Sequence, residues 1–335
     1  LNGLRNSVYL ILFTMIFTFP FTSVNADPEE EIALYSEAAI VIDAATGEVI
    51  FGKNEHREMY PASITKIVSG LVAIEEEILN ETAEVSESAA SVDGTRVYLL
   101  PGEEVSVEKL VQGLLINSGN DAGTALAEHA AGSERAYANM MNTFVEEKVG
   151  VENTNFTNPH GLYHPLHVTT ASDMAEISRY AMENDTFRTI VGTRQMEWIG
   201  EGWDTTIYNH HRMLGNVEGV TGIKNGFVSQ AGATLVTSVE RNGSELIIVT
   251  LKAPSADESY RDTQKLIQYG FENLTTQHTW YEAGVEELVK YLTLQGTASA
   301  ATESFPRVIT IHPEKTSIVW KKWNGEIIYE QPLYR

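Results

Sequence analysis

The chain contains no cysteine. That excludes disulfides, thiol nucleophiles and thiolate metal sites, and leaves oxygen nucleophiles, carboxylates and histidines as the catalytic menu. Positive charge is scarce: 23 lysines and arginines stand against 46 aspartates and glutamates, a formal net charge of −23 over 335 residues. No basic patch is available to neutralise phosphates, so nucleic acid is excluded as a partner. The same acidic excess argues against an adhesive surface for anionic lipid. Beyond residue 26 no apolar run is long enough to span a bilayer.

The first 26 residues read as a secretory signal. Arg5 precedes an apolar stretch from Val8 to Phe21, and Val24-Asn25-Ala26 suits a signal peptidase. The expectation is cleavage before Asp27 and an exported protein on the outer, cell-wall side of the cytoplasmic membrane. An uncleaved N-terminal anchor is the competing reading. The stretch is short for a span and is interrupted by Pro20 and two threonines.

Hydrophobic residues make up 43% of the chain, enough for one large domain with a real core plus a smaller appendage. Ala39 to Asp43 and Val49 to Phe51 read as a first hairpin around Thr46-Gly47. Helical patterning follows through Ile67, Val68, Leu71, Val72 and Ile74, then over residues 107–115 and 122–131. Ser172 and Asp173 are suited to cap a helix reaching Met182. Thr234 to Val239 and Glu245 to Leu251 flank Asn242-Gly243, a strong hairpin signal. A last helix is expected over residues 260–273. Beyond Thr275, three β-rich runs (residues 308–312, 317–323 and 326–330) predict a small appendage.

Ser63-Ile64-Thr65-Lys66 sets a hydroxyl and an amine three residues apart at a helix start, on one face and one turn apart. A serine hydroxyl needs a base to become nucleophilic, and a desolvated lysine qualifies. The helix N-terminus favours developing negative charge and offers backbone N–H groups to an oxyanion. Alone the pair is weak. Its companions are Ser118-Gly119-Asn120, in a break between helices, and Lys224-Asn225-Gly226, on a predicted strand.

The order Ser-x-x-Lys, Ser-x-Asn, Lys-x-Gly resembles that of the penicillin-interacting serine enzymes. The flanks "YPASITKI", "PGEEVSVEKLVQGLLINSGNDAGTALAEHAAGS", "TNFTNPHGL" and "TTASDMAEISRYAM" resemble the D-alanyl-D-alanine carboxypeptidases. The likeness covers residues 36 to 275. It implies an α/β fold of the α+β kind: a central, mostly antiparallel five-stranded sheet flanked by helices, with the site at the helix–sheet junction. It divides the chain into a signal peptide (1–26), a penicillin-binding peptidase domain (27–275) and a β-rich C-terminal domain (276–335).

The resemblance also implies roles. Ser63 would attack the carbonyl between two terminal D-alanines of a peptidoglycan stem peptide, Lys66 would take its proton, and Ser118 would pass one to the leaving amine. Asn120 would hold the substrate backbone. Lys224 and Gly226 belong to the third motif, with Lys224 orienting the terminal carboxylate, and the backbone N–H groups of Ser63 and Phe227 would bind the oxyanion. β-Lactams would acylate Ser63 as covalent inhibitors. No metal or other cofactor is implied. Two nearby lysines repel each other, which together with burial favours a neutral Lys66. Asn225 departs from the family's usual threonine, which puts turnover or carboxylate specificity in question. Arg261 is a possible second carboxylate contact, with a plain surface arginine as the competing reading.

Other signals carry less. His160, His164 and His167 have spacings that would suit a metal on a helix, but Gly161 and Pro165 oppose a helix there. His210 and His211 are adjacent and point apart on any regular element. Glu76 to Asn80 mimics a deacylating loop of class A β-lactamases, yet precedes the Ser-x-Asn motif and reads as the polar end of the Ser63 helix. A β-lactamase on this scaffold and a non-enzymatic cell-wall protein with a weakened site at Asn225 are the alternatives. Relatives often end in an amphipathic membrane helix; "EQPLYR" gives no support for attachment at the C-terminus.

Overall fold

A computed structural model describes residues 32–274, except position 77, and the backbone of three strands between residues 308 and 332. The expected signal segment and the turn at Asn324-Gly325 lie outside the described residues.

Five strands form the central sheet: β1 (Ala38–Asp43), β2 (Val49–Lys53), β7 (Val220–Val228), β8 (Gly232–Arg241) and β9 (Ser244–Ala253). Their order is β2-β1-β9-β8-β7, and every neighbouring pair is antiparallel. The expected mostly antiparallel sheet is thus wholly antiparallel. The Asn242-Gly243 hairpin forms where the sequence placed it. Both turn residues have positive φ, 52° and 79°, as a two-residue turn between twisted strands requires.

Successive side chains of a strand point to opposite faces, and all six residues of β1 are buried, so both faces must be covered. Ala38, Ile40 and Ile42 join the main hydrophobic core. Val41 points the other way, under Gly270 of helix α8 (residues 256–274). Within the main core on the Ile40 face runs α1 (Lys66–Glu75), buried over Ile67, Val68, Leu71, Val72 and Ile74. A helix apolar on nearly every side is a central one. Truncating Leu71, which is fully buried, to alanine would cost about 2–5 kcal/mol.

The helices around α1 are α3 (Val107–Leu115), α4 (Asn120–Ala131), α5 (Glu134–Phe144), α6 (Ala171–Met182) and α7 (Asp185–Gly192), with a single turn, α2, at Glu87–Ser91. Serine side chains cap α2, α3 and α5 by accepting a backbone N–H from the first turn. At α6 the cap is Thr170, not Ser172 as expected: its Oγ1 accepts from the Asp173 N–H at 2.9 Å. Asp173 in turn ties Thr170, Asn153 and Thr154 together through its carboxylate.

Two small hairpin-like pairs were not foreseen, β3 (Thr82–Glu84) with β4 (Glu104–Ser106) and β5 (Gln195–Ile199) with β6 (Asp204–Tyr208). Near the C-terminus β10 (Val308–His312), β11 (Ser317–Lys321) and β12 (Ile327–Pro332) form a separate antiparallel sheet, in the three runs that composition had marked.

Candidate active site

Ser63 sits one step before the helix that was expected to carry it. Residues Ala62–Thr65 make a turn of 3-10 helix, and α1 begins at Lys66. In a 3-10 turn the side chains at i and i+3 eclipse, so the correction brings Ser63 and Lys66 closer than an α-helix would. Lys66 Nζ lies 2.9 Å from Ser63 Oγ. Lys66 is fully buried, and Nζ also donates to the carbonyl of His160 at 2.6 Å. Ala62, just ahead of the serine, has φ +53°, a costly conformation for a residue with a side chain.

Two segments distant in sequence hold this turn. Gly161 is so close to it that a Cβ there would lie 1.9 Å from the Ala62 carbonyl oxygen. Its φ of +88° also excludes ordinary side chains. From the other side Gly226 of β7 presses on the turn. A Cβ at 226 would stand 2.6 Å from the Ser63 backbone nitrogen and 2.7 Å from Thr234 Oγ1. Thr234 itself donates to the Pro61 carbonyl at 2.8 Å. Since β7 is an outer strand of the sheet, its far edge is unpaired by other strands and faces the serine.

Ser118 occupies the break between α3 and α4, buried and with φ +62°. Asn120 opens α4, its Nδ2 donating to the Asp93 carbonyl at 2.6 Å. Asn117 donates to the Arg96 carbonyl at 3.0 Å. The loop over residues 93–100 is thereby strapped to the back of the Ser118-Gly119-Asn120 turn. Asp121 completes the strap: its carboxylate accepts from Val97 N–H at 3.0 Å, Leu99 N–H at 3.2 Å and Ala122 N–H at 2.9 Å. Burial raises the Asp121 pKa, while those N–H groups oppose the rise.

Lys224 is buried on β7, with Nζ donating to the Asn225 carbonyl at 3.0 Å and 3.4 Å from Asn225 Oδ1. Burial pulls its pKa down to about 7. Lys66 is held well below the usual lysine range, first by burial and then by the charge of Lys224, against a smaller pull from Asp121. Phe227, next along β7, turns an exposed ring to solvent.

Not every expected residue joins the group. Arg261 is exposed on α8, at a shallow concavity of about 370 Å³ that it shares with Arg212, Met213, Tyr260 and Gln264; none of the lining residues belongs to the three motifs. The histidines divide. His160 Nε2 meets Glu134 at 3.1 Å, while its Nδ1 accepts from Leu162 N–H. His167 bridges Thr65 and Thr157. His211 meets Thr237 at 2.9 Å. Its neighbour His210 is held down at about 4, first by burial and then by the charges of Lys224 and Lys66. Sequence reading passed over His210, the His160 carbonyl, Asp121 and Thr234. Only the "NPHGL" glycine carried a usable signal, because a conformationally special loop there had to serve something.

The D-alanyl-D-alanine carboxypeptidase family model matches residues 23–255. The carboxypeptidase DacF of Bacillus subtilis is 30% identical over 283 residues, covering 82% of this chain and 72% of the relative. DacA of Haemophilus influenzae is 34% identical, covering 75% of this chain and 65% of the relative. Among solved structures, a D-alanyl-D-alanine carboxypeptidase of Mycobacterium tuberculosis superimposes with a TM-score of 0.68 at 29% identity, over 72% of this chain and 92% of that one. DacD of Francisella tularensis gives 0.67 at 27%, over 72% and 71%. Sequence, sheet order and the packing of the third motif's glycine against the Ser63 turn agree, and the chain belongs to the D-alanyl-D-alanine carboxypeptidase family.

Proposed function

We propose that this protein is a serine carboxypeptidase that removes the terminal D-alanine from peptidoglycan stem peptides through an acyl-enzyme on Ser63. The observation that carries the reading is the 2.9 Å approach of a fully buried lysine amine to a partly exposed serine hydroxyl. An amine with a depressed pKa is neutral often enough to accept a proton, which a surface lysine is not.

Ser63 Oγ attacks the carbonyl carbon between the two D-alanines while Lys66 Nζ takes its proton. The carbonyl oxygen becomes an oxyanion, met by the backbone N–H groups of Ser63 and Phe227 across the approach that Gly226 keeps open. Collapse breaks the C–N bond, and the leaving amine receives the proton from Lys66 by way of the Ser118 hydroxyl. A water molecule then cleaves the ester with Lys66 again as base, restoring Ser63. Lys224 and the Asn225 amide face the terminal carboxylate. Asn120, with Nδ2 committed to Asp93, turns its carbonyl oxygen to a substrate N–H. β-Lactams present a strained amide to the same serine.

The β-lactamase alternative needs a carboxylate to activate the deacylating water. Asp121, the carboxylate that registers on Lys66, is saturated by backbone N–H groups, and Glu134 is taken by His160 and Thr124. A penicilloyl ester should therefore persist.

The same reading assigns residues 27–275 to catalysis, residues 276–335 to an appendage, and residues 1–26 to export, which puts the enzyme where peptidoglycan is. Among the described residues no helix is long and apolar enough to cross a membrane. The test is intact-mass analysis with penicillin and with a peptide ending in D-Ala-D-Ala. One covalent equivalent on the wild type, none on Ser63→Ala, and release of D-alanine from the peptide are expected. Labelling of Ser63→Ala would sink the assignment.

A further inference from the structure

Tyr98 combines a strained backbone with an exposed ring. Its φ is +58°, a region that suits glycine or asparagine and is unfavourable for a bulky residue. Its surface is 50% exposed, although Val97 and Leu99 on either side are buried. The cause lies in Asp121, whose carboxylate holds the N–H groups of both neighbours and so turns the ring outward. Strain that is held in place by its surroundings points to a task for the residue that bears it.

The ring is not alone. Trp203, from the segment between β5 and β6, meets it edge to face with ring centroids 5.0 Å apart. The Arg96 guanidinium lies 5.3 Å from the Tyr98 centroid. Glu103 clasps both segments, accepting from Leu100 N–H at 3.0 Å and from Glu201 N–H at 3.1 Å. The segments touch so closely that a Cβ on Gly202 would lie 2.3 Å from the Tyr98 carbonyl oxygen. A buried carboxylate thus holds together the two segments that carry these rings, Tyr98 half-exposed and Trp203 partly buried against the core.

The surface is tied to the second motif, because the loop that carries Arg96 and Tyr98 is the one strapped to Asn117 and Asn120. Two aromatic rings with their fringe offer on the order of a few hundred Å², short of the roughly 800 Å² per side of a stable protein partner. They do match the apolar face of pyranose rings, with Arg96 at hand for hydroxyl and acetamide oxygens. A neutral sugar also meets no repulsion from a chain of net charge −23.

We propose that Tyr98 and Trp203 form a sugar platform that holds N-acetylhexosamine rings of the glycan strand while the attached stem peptide reaches Ser63. The identity of that polymer rests on the carboxypeptidase reading above. The platform would make glycan-bound stem peptides better substrates than free peptides.

The test titrates the full chain with the β-1,4-linked tetramer of N-acetylglucosamine, which carries no peptide, and follows binding by calorimetry. Saturable binding is expected in the wild type, weakened at least about tenfold in Trp203→Ala and in Tyr98→Asn, and kept in Tyr98→Phe. Asparagine tolerates the left-handed backbone, so loss in Tyr98→Asn reports the ring and not a collapsed loop. No saturation by the wild type, or binding that survives both ring deletions, overturns the proposal. Penicillin labelling of the same samples reads the catalytic assignment separately. Sugar binding without labelling would support the platform and discard the peptidase.

Discussion

Gly226 lies against Ser63 so tightly that a Cβ on the glycine would come within 2.6 Å of the serine's backbone nitrogen. The third motif's glycine is therefore a spacing device. It lets an outer strand approach the Ser63 turn, where the proposed mechanism needs N–H donors from both segments to meet one oxygen.

Gly226→Ala should push β7 away from the turn and misplace at least one oxyanion donor. Loss of one such donor typically costs about 10²–10³ in rate. The second-order rate of penicillin acylation should fall by that amount while the far-ultraviolet dichroism stays unchanged. A wild-type rate would show that the close approach is dispensable.

Lys66→Arg should abolish acylation although it preserves positive charge, because arginine stays protonated in proteins. A general base contributes about 10²–10⁴, and here it is the sole activator of the serine. In the wild type, acylation should rise with pH as Lys66 loses its proton, then decline as Lys224 loses its own near 7. Lys224→Arg should remove the declining limb from the pH–rate profile. A profile flat from pH 5 to 9 would refute both assignments.

Three histidines with lowered pKa values predict acid sensitivity. Burial holds His167 and His211 at about 3, and partial burial with the lysine charges holds the half-buried His210 at about 4, below the unfolded value of about 6.5. Between those values the unfolded chain binds protons that the folded chain does not, so stability is complete above about pH 6.5 and is lost as pH falls. Each histidine contributes a slope approaching about 1.4 kcal/mol per pH unit. The urea midpoint should therefore drop between pH 7 and pH 5, and His211→Asn should flatten the drop. Equal slopes in the two proteins would argue that His211 takes up its proton in the folded state.

Asn225→Thr probes the departure from the family motif. Asn225 keeps its Oδ1 near the Lys224 amine, which leaves Nδ2 as the donor for a carboxylate. If threonine is the better placed donor, kcat/KM for peptides ending in D-Ala-D-Ala should rise about tenfold, the worth of one charge-assisted hydrogen bond of about 1.5 kcal/mol. An analogue ending in an amide should change much less. Equal effects on both would mean that Asn225 does not read the carboxylate.

The sequence made the family motifs legible because each is local: three or four residues carry it and their spacing survives in the fold. Strands and hairpins with period-two patterning and an Asn-Gly turn were legible for the same reason. What closes on the motifs was not. The His160 carbonyl that holds Lys66 and the Gly161 contact with Ala62 join segments about a hundred residues apart, and backbone atoms leave no mark in a residue pattern. The 3-10 turn at Ser63 was hidden because its residues suit either helix type. Thr170 was passed over as a cap because Ser172 and Asp173 offer the same chemistry two residues later. Arg261, a possible carboxylate contact in the sequence, lines a concavity with Arg212, Met213 and Tyr260.

The first strand of the sheet pairs with the last: Ala38 stands opposite Leu251 and Asp43 opposite Leu246. A nascent chain therefore makes β1 long before its partner exists, and an apolar strand such as Ile40-Val41-Ile42 waits with an open edge until β9 is synthesised. Loop closure over that distance is slow, and a waiting apolar edge is a site for aggregation. Chains that stop before Ser244 should accumulate as insoluble or degraded fragments rather than as partly active enzyme. Activity then arrives only once β9 has been made, because β7, which brings Gly226 to Ser63, is tied through β8 to that late strand.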